Sequence, residues 1–170
     1  MSPFDFEWVV LFGGAHREEI FSALLENKVK IKCVLVPTKQ SDKLAHSIAL
    51  IKSKGLLVIE VKREAFEKCL KNYSGLALLS VGFPYIISES TIRLFALALN
   101  IHPTLLPAYR GPTSGAFILI NNEKKAGSTV HFLEPETDAG DIVMQSEVNL
   151  TTFDTVRSMQ KKVYRTEPQL

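Results

Sequence analysis

Apolar runs and helix-spaced polar stretches alternate along the first hundred residues. Trp8 to Gly14, WVVLFGG, is a continuous apolar run closed by two glycines, which predicts a buried parallel strand running into a turn. Ile20, Phe21, Leu24 and Leu25 then recur on one face of a helix from Glu19 to Asn27, which Asn27 and Lys28 suit as an end. The alternation continues with a strand from Lys30 to Val36, stopped by Pro37. A helix between Ser41 and Lys54 follows, with Leu44, Ile48 and Ile51 at near-helical steps and Gly55 as its C-cap. The strand LLVIEV, a helix from Glu64 to Asn72, a strand from Leu76 to Val81, a helix around Ser90 to Leu97 and a short strand ending near Ile101 complete the series.

Strands alternating with helices of this length predict an α/β fold: a mostly parallel twisted sheet with helices on both faces and right-handed crossovers. Ligands of such sheets gather beyond the carboxyl ends of the strands. That singles out the loops Gly13 to Arg17, Gly82 to Ser88 and Asn100 to Pro112. The pattern changes after Gly111. A helix from Thr113 to Asn122 leads to a strand from Ser128 to Leu133, a polar loop from Glu134 to Asp141, and a strand from Ile142 to Leu150. Two strands joined this way predict a hairpin, and therefore a mixed, antiparallel edge. Thr152 and Asp154 are cap candidates for a last helix carrying Val156, Met159, Val163 and Tyr164 on one face and stopping at Pro168. No repeat or linker interrupts the chain, so residues 1–170 are expected to form one domain, with truncation at the last helix left open.

Composition narrows the classes of function. A chain of 170 residues with 46% apolar content buries roughly 70% of its unfolded surface and needs no metal or disulfide to fold. Its 20 Lys plus Arg against 18 Asp plus Glu leave a net charge of +2, too small for an electrostatic nucleic-acid binder. Cys33 and Cys69 lie far apart in apolar stretches and read as buried thiols. Asp5 and Glu7 interrupt the first apolar run, so no secretory signal is expected, and no segment approaches the ~20 apolar residues of a membrane span. A reducing cytoplasm is the expected location. His16, His46, His102 and His131 are too dispersed in sequence to form a metal set.

The least ordinary stretch is NIHPTLLPAYRG, from Asn100 to Gly111. A strand delivers Asn100 and His102 two residues apart, so both side chains share a face at the mouth of the sheet. Taken singly, either reads as structural. Together, an amide donor and a titratable imidazole are the parts needed for attack of an amine on a carbonyl: one stabilises developing negative charge, the other manages the proton. The missing carboxylate is Asp138 or Asp141 in EPETDAGD, a loop that by itself reads as a solvated turn. His131, alternating with Val130 and Phe132 on a strand, reads as structural.

NIHPTLLPAYRG followed by GSTVHFLEPETDAGDIV resembles the signature of the folate-dependent formyltransferases. That family includes glycinamide ribonucleotide formyltransferase, methionyl-tRNA formyltransferase and the sugar-nucleotide N-formyltransferases. The resemblance places the family's catalytic Asn, His and Asp on Asn100, His102 and Asp138, with a fitting 36-residue step from His102 to Asp138. It covers most of the chain, more weakly before Leu76, and implies a Rossmann-like catalytic domain. It further implies 10-formyltetrahydrofolate as the donor. The pterin would lie between two loops: Gly82, Phe83, Pro84, Tyr85, Ile86 and Ile87 on one, Leu133, Glu134, Pro135 and Thr137 on the other. Ile86 and Ile87 are candidate slot walls whose other reading is ordinary core. In the implied reaction Asn100 donates to the oxyanion, His102 stabilises the same charge or relays a proton, and Asp138 orients the imidazole; no metal takes part.

The acceptor is read from departures within the family. Methionyl-tRNA enzymes resemble this chain in the core but carry a further tRNA-gripping domain, which the sequence is expected to lack. Glycinamide ribonucleotide enzymes have a serine and an asparagine near the glycines of their first loop, where this chain has Gly13, Gly14, Ala15 and His16. LPAYRGPTSGA and DAGDIV look most similar to the sugar-nucleotide enzymes, which implies a dTDP- or UDP-linked amino sugar destined for surface polysaccharide such as lipopolysaccharide O-antigen. Gly13, Gly14, His16 and Arg110 are the candidate substrate contacts. The expected partners are small molecules, neither nucleic acid nor membrane, with a homodimer left open. A non-catalytic nucleotide- or folate-binding module is the other class of reading, although FGGAHRE lacks the full G-x-G-x-x-G spacing.

Overall fold

A computed structural model describes residues 5–112 and 114–170; the expected first residue of the fifth helix, Thr113, lies outside the described residues. In chain order the elements are β1 (Glu7–Phe12), α1 (Glu19–Glu26), β2 (Lys30–Pro37), α2 (Asp42–Ser53), β3 (Val58–Val61), α3 (Arg63–Lys71) and β4 (Ala77–Val81). They continue with α4 (Glu89–Ile92), β5 (Leu97–His102), α5 (Ser114–Ile120), β6 (Lys125–Phe132), β7 (Ile142–Asn149) and α6 (Val156–Tyr164). Two compact units divide the chain, Met1–Leu99 and Asn100–Leu170, with the boundary inside β5.

In the first unit the strands run in the order β3-β2-β1-β4, with the opening residues of β5 beyond β4. β1 pairs in parallel with β2 and β4, and β2 with β3, and the central strands β1 and β4 are buried along nearly their whole length, as a sheet covered on both faces requires. Val9 to Phe12, Cys33 to Val36 and Ala77 to Leu79 are all buried. Phe21 of α1 closes on Phe12 of β1 edge to face, with ring centroids 5.3 Å apart. Ser41 caps α2 by accepting the Leu44 amide at 3.3 Å, and Gly55 follows its last turn at φ +79. The helix expected over 90–97 is cut to α4. Leu94 O accepts the Gly75 amide and Ala96 N donates to Leu76 O, so residues 94–96 are drawn alongside the entry to β4. Cys33 is buried as expected, whereas Cys69 is only partly so.

The second unit has the order β5-β6-β7, and β6 and β7 are antiparallel, the mixed edge expected of the hairpin. β6 begins at Lys125, three residues before its expected start. Lys125 pairs with Glu147 across the strands at 2.6 Å, and Gly127 lies so close to β7 that a Cβ would collide with Ser146 O. Ile118, Ala126, Leu150, Met159 and Val163 form the core between α5, α6 and β6. The N-cap of α6 is Thr155, in a capping box with Ser158, rather than Thr152 or Asp154. Asp154 supports that start from outside, accepting from Thr151 N at 2.8 Å, Ser158 Oγ at 2.7 Å and Lys162 Nζ at 2.6 Å. α6 ends at Tyr164. Pro168 lies in a 3-10 turn, Glu167–Gln169, anchored by a 2.7 Å bond from Ser128 Oγ to buried Glu167. Among the described residues no helix is long and apolar enough to cross a membrane.

Candidate active site

The site lies in the second unit, beginning with the last residues of β5. Strand alternation sets Asn100 and His102 on one side, with Ile101 buried between them. Asp138 comes from the β6–β7 loop, where it holds φ +51. That loop folds back on its own strand: Phe132 N donates to Asp141 O at 3.0 Å, and Gly140 lies so near Phe132 O that any side chain would clash. Asp138, and not the exposed Asp141, is thereby brought to β5. Its Oδ2 accepts the Gly111 amide at 2.9 Å and faces His102 Nδ1 at 3.3 Å. Its Oδ1 lies 3.4 Å from Asn100 Nδ2 and 3.5 Å from His131 Nε2. Burial opposes ionisation of Asp138, but the hydrogen bond from the Gly111 amide and the neighbouring His102 ring act against it, and the carboxyl is held below its usual range. The group is an anion at neutral pH.

His102 is not at an open mouth, as the sequence had suggested, but buried beneath the loop 103–111. Its Nε2 lies 3.0 Å from the carbonyl of Tyr109, which turns at φ +58 and also receives Thr104 Oγ1 at 3.1 Å. The loop is pinned by buried polar groups: Thr129 Oγ1 donates to Thr104 O at 2.7 Å and accepts the Leu106 amide at 3.1 Å, and Gln145 Nε2 donates to Leu106 O at 2.8 Å. Both nitrogens of His102 therefore face acceptors, Asp138 and the Tyr109 carbonyl, an arrangement matched to a doubly protonated ring. The carboxylate of Asp138 stands within direct reach of both an amide donor and an imidazole able to carry a proton, the set required to stabilise an oxyanion and manage a proton in acyl transfer.

His131 is the residue that sequence reasoning missed. It is 1% exposed, 3.0 Å from Asn100 Nδ2 through Nε2, and 2.8 Å from Phe132 O through Nδ1. The only available signal was a polar residue among apolar neighbours on a strand.

The remaining candidates divide by surroundings. The amides of Gly13 and Gly14 both donate to Val81 O at 3.1 Å, His16 N to Ser47 Oγ at 3.1 Å and Arg17 N to Gly14 O at 3.2 Å. Those donors are committed inside the first unit, so the backbone amides of Gly13 and Gly14, two of the candidate substrate contacts, already have partners. Gly13 is instead a close-approach residue whose Cβ would come 2.6 Å from Gly82 O. The His16 side chain is exposed. In the loop Gly82 to Ile87, Phe83 and Tyr85 pack on Phe66 of α3 and on each other, with centroids 5.0 to 5.5 Å apart. Glu67 ties the end of that loop down, accepting from Ser88 N and Ser88 Oγ at 2.7 Å and from Thr91 Oγ1 at 2.8 Å. Ile87 is 7% exposed and belongs to the core, while Ile86 is 79% exposed, which separates the two candidate slot walls. In the second unit Leu133 is half-buried and Glu134, Pro135 and Thr137 are exposed. Arg110 pairs with exposed Glu136 at 3.3 Å. Among the described residues no group of three or more His, Cys, Asp and Glu could hold a metal ion.

Residues 8–170 match the family described as Formyl transferase. The chain is 33% identical over 103 residues to the methionyl-tRNA formyltransferase of Thermotoga sp. (strain RQ2), covering 60% of this chain and 33% of that protein. It is 27% identical over 150 residues to the GDP-perosamine N-formyltransferase of Brucella melitensis biotype 1, covering 86% of this chain and 58% of that one. The crystal structure of glycinamide ribonucleotide transformylase 1 from Symbiobacterium toebii shares the fold, with a TM-score of 0.81 over 97% of this chain and 83% of that chain at 23% identity. The chain thus spans between a third and somewhat over half of the length of these two sequence relatives.

Proposed function

The chain belongs to the formyl transferase family, and from that premise we propose that it moves a formyl group from 10-formyltetrahydrofolate to the amino group of a nucleotide-linked amino sugar, of the dTDP or UDP class, for surface polysaccharide. The family match runs through both compact units, which supports reading them as one catalytic domain. The observation that carries the transfer chemistry is the contact set of Asn100, His102 and Asp138. A neutral amine attacks the formyl carbon, and the developing oxyanion accepts a hydrogen bond from Asn100 Nδ2. His102 adds positive charge beside it and passes a proton to the tetrahydrofolate nitrogen as the bond from that nitrogen to the formyl carbon breaks, and the proton shed by the attacking amine restores the ring, for which Nε2 must exchange the Tyr109 carbonyl for the substrate. Ionised Asp138 holds the ring in place throughout and compensates its charge.

The loops Gly82 to Ile87 and Leu133 to Thr137 are assigned to the donor, with exposed Ile86 rather than buried Ile87 offering apolar surface. Arg110 and His16 are assigned to the acceptor, Arg110 because a pair with an exposed carboxylate is weak enough for a phosphate to displace. Relatives and neighbours acting on methionyl-tRNA, a purine precursor and a GDP-linked sugar all occur. Two features favour the sugar: the Brucella enzyme matches 86% of this chain, and the amides at Gly13 and Gly14 are not free to cradle a terminal phosphate. The test is to incubate the protein with 10-formyltetrahydrofolate and, in parallel, dTDP-, UDP- and GDP-linked amino sugars, glycinamide ribonucleotide and methionyl-tRNA, and to weigh the products. Formylation of a sugar nucleotide at the highest kcat/KM is expected. Preference for either other acceptor overturns the sugar assignment, and no product from any acceptor overturns the transfer itself.

A further inference from the structure

We propose that His131 is a positioning residue that fixes which end of the Asn100 side-chain amide enters the site. The inference rests on the reading of Asn100 as the oxyanion donor. His131 Nδ1 lies 2.8 Å from the carbonyl of Phe132, which can only accept, so Nδ1 carries the hydrogen. In the neutral ring Nε2 then offers only a lone pair, and 3.0 Å away is the nitrogen end of Asn100. The carboxylate of Asp138 lies farther from Nε2, at 3.5 Å, and faces the same Asn100 nitrogen at 3.4 Å.

Two acceptors from different segments, the Nε2 lone pair and the Asp138 carboxylate, therefore demand the NH2 end of the amide. Turning the amide over would set its oxygen against both. Of the two hydrogens on Nδ2, one is held by His131 in a bond of ordinary length. The other makes only the long contact to Asp138 and is the one an oxyanion takes. His131 thus keeps Asn100 aimed before substrate arrives, so that its orientation need not be set during the reaction. The ring is fully enclosed and the backbone bond fixes its tautomer, which suits it to this task.

Two measurements on the whole chain decide the point. The first is 15N NMR of the labelled protein. His131 is expected as the Nδ1–H tautomer, with a nitrogen–nitrogen coupling across the hydrogen bond from Asn100 Nδ2 to His131 Nε2. A protonated Nε2, or absence of that coupling, overturns the proposal whether or not the enzyme turns over. The second compares His131→Leu with His131→Gln, whose amide oxygen can accept in place of Nε2. Loss of the acceptor is expected to lower kcat at least about tenfold, below the hundredfold to thousandfold loss on removing the donor itself, with the donor KM little changed. His131→Gln is expected to recover most of the loss. Equal activity of the two variants at equal thermal midpoints overturns the positioning role. Should His131→Leu fail to fold, the coupling and the kcat of His131→Gln against the wild type remain decisive. A wild type that formylates nothing fails the reading of Proposed function, while the coupling still reports on the bond.

Discussion

Asp138 faces four groups at once: Asn100, His102, the Gly111 amide and, at longer range, His131. A buried carboxylate so surrounded stabilises the fold only while it is ionised. Because its folded pKa is depressed, that stability is fully present above the unfolded value of about 3.9 and is lost as pH falls through the lower, folded value. Thermal midpoints of the wild type and Asp138→Asn, measured from pH 7 downwards, are accordingly expected to differ most at neutral pH and to converge in acid. A constant gap across the range would show that the carboxylate's charge is not what the fold uses. The acid limb of kcat/KM between about pH 5 and 7 is likewise not expected to come from Asp138, since a depressed carboxyl has finished titrating below that range. Asn100→Ala is expected to cost a hundredfold to a thousandfold in kcat, on the order of oxyanion donors elsewhere. The free energy of unfolding measured in denaturant should fall by only about 1–2 kcal/mol, the loss of one part-buried polar partner. Unaltered turnover in that variant would remove Asn100 from the chemistry.

At the scale of elements, what the sequence made legible followed periodicity and motif, and what it hid depended on where loops close. β1, β2 and β4 each carry a buried, mostly apolar run, Trp8 to Phe12, Cys33 to Pro37 and Ala77 to Val81, and each strand appears within two residues of its expected span. Asn100 and His102 lie on a strand whose alternation fixes their common face, and Asp138 lies in a loop with its own recognisable composition. No period governs a loop such as 103–111. That it folds over His102 depends on Thr104, Thr129 and Gln145, hydroxyls and an amide from three segments whose meeting no local pattern announces. His131 was hidden for the opposite reason, since a histidine among apolar strand residues has the pattern of core. The phase of Ile86 and Ile87 was equally undetermined, because a turn precedes them and neither strand nor helix spacing applies. The two are now separable by experiment. Ile86→Glu is expected to raise the KM for the folate donor several-fold more than that for the acceptor while leaving the thermal midpoint nearly unchanged, because its side chain is already in solvent. Ile87→Glu places a carboxylate in the core and is expected to destabilise the fold by several kcal/mol. Unfolding in both variants, or equal effects of Ile86→Glu on the two KM values, would remove the Gly82 to Ile87 loop from the donor's site.

Taken over the whole chain, charge bears on the choice of acceptor. Twenty basic residues against 18 acidic ones leave a net charge of +2 on 170 residues. Several cations are already engaged by neighbouring carboxylates: Arg93 with Glu89, Lys125 with Glu147, Lys162 with Asp154 and Arg110 with Glu136. A surface that grips a polynucleotide must neutralise several phosphates at once, and each releases condensed counterions, so affinity then falls steeply with salt. A nucleotide-linked sugar presents only its diphosphate. If Arg110 meets that group, binding exchanges one exposed ion pair for another of the same kind, and the net electrostatic gain is small. The acceptor KM is therefore expected to rise only about two- to fivefold between 50 and 200 mM salt, short of the thousandfold or greater loss typical of proteins making six to ten phosphate contacts. Arg110→Ala is expected to raise the acceptor KM and to flatten even that shallow dependence, with the donor KM unmoved. A steep salt dependence for methionyl-tRNA, at a kcat/KM matching that of any sugar nucleotide, would instead assign the surface to an extended polyanion and end the sugar reading.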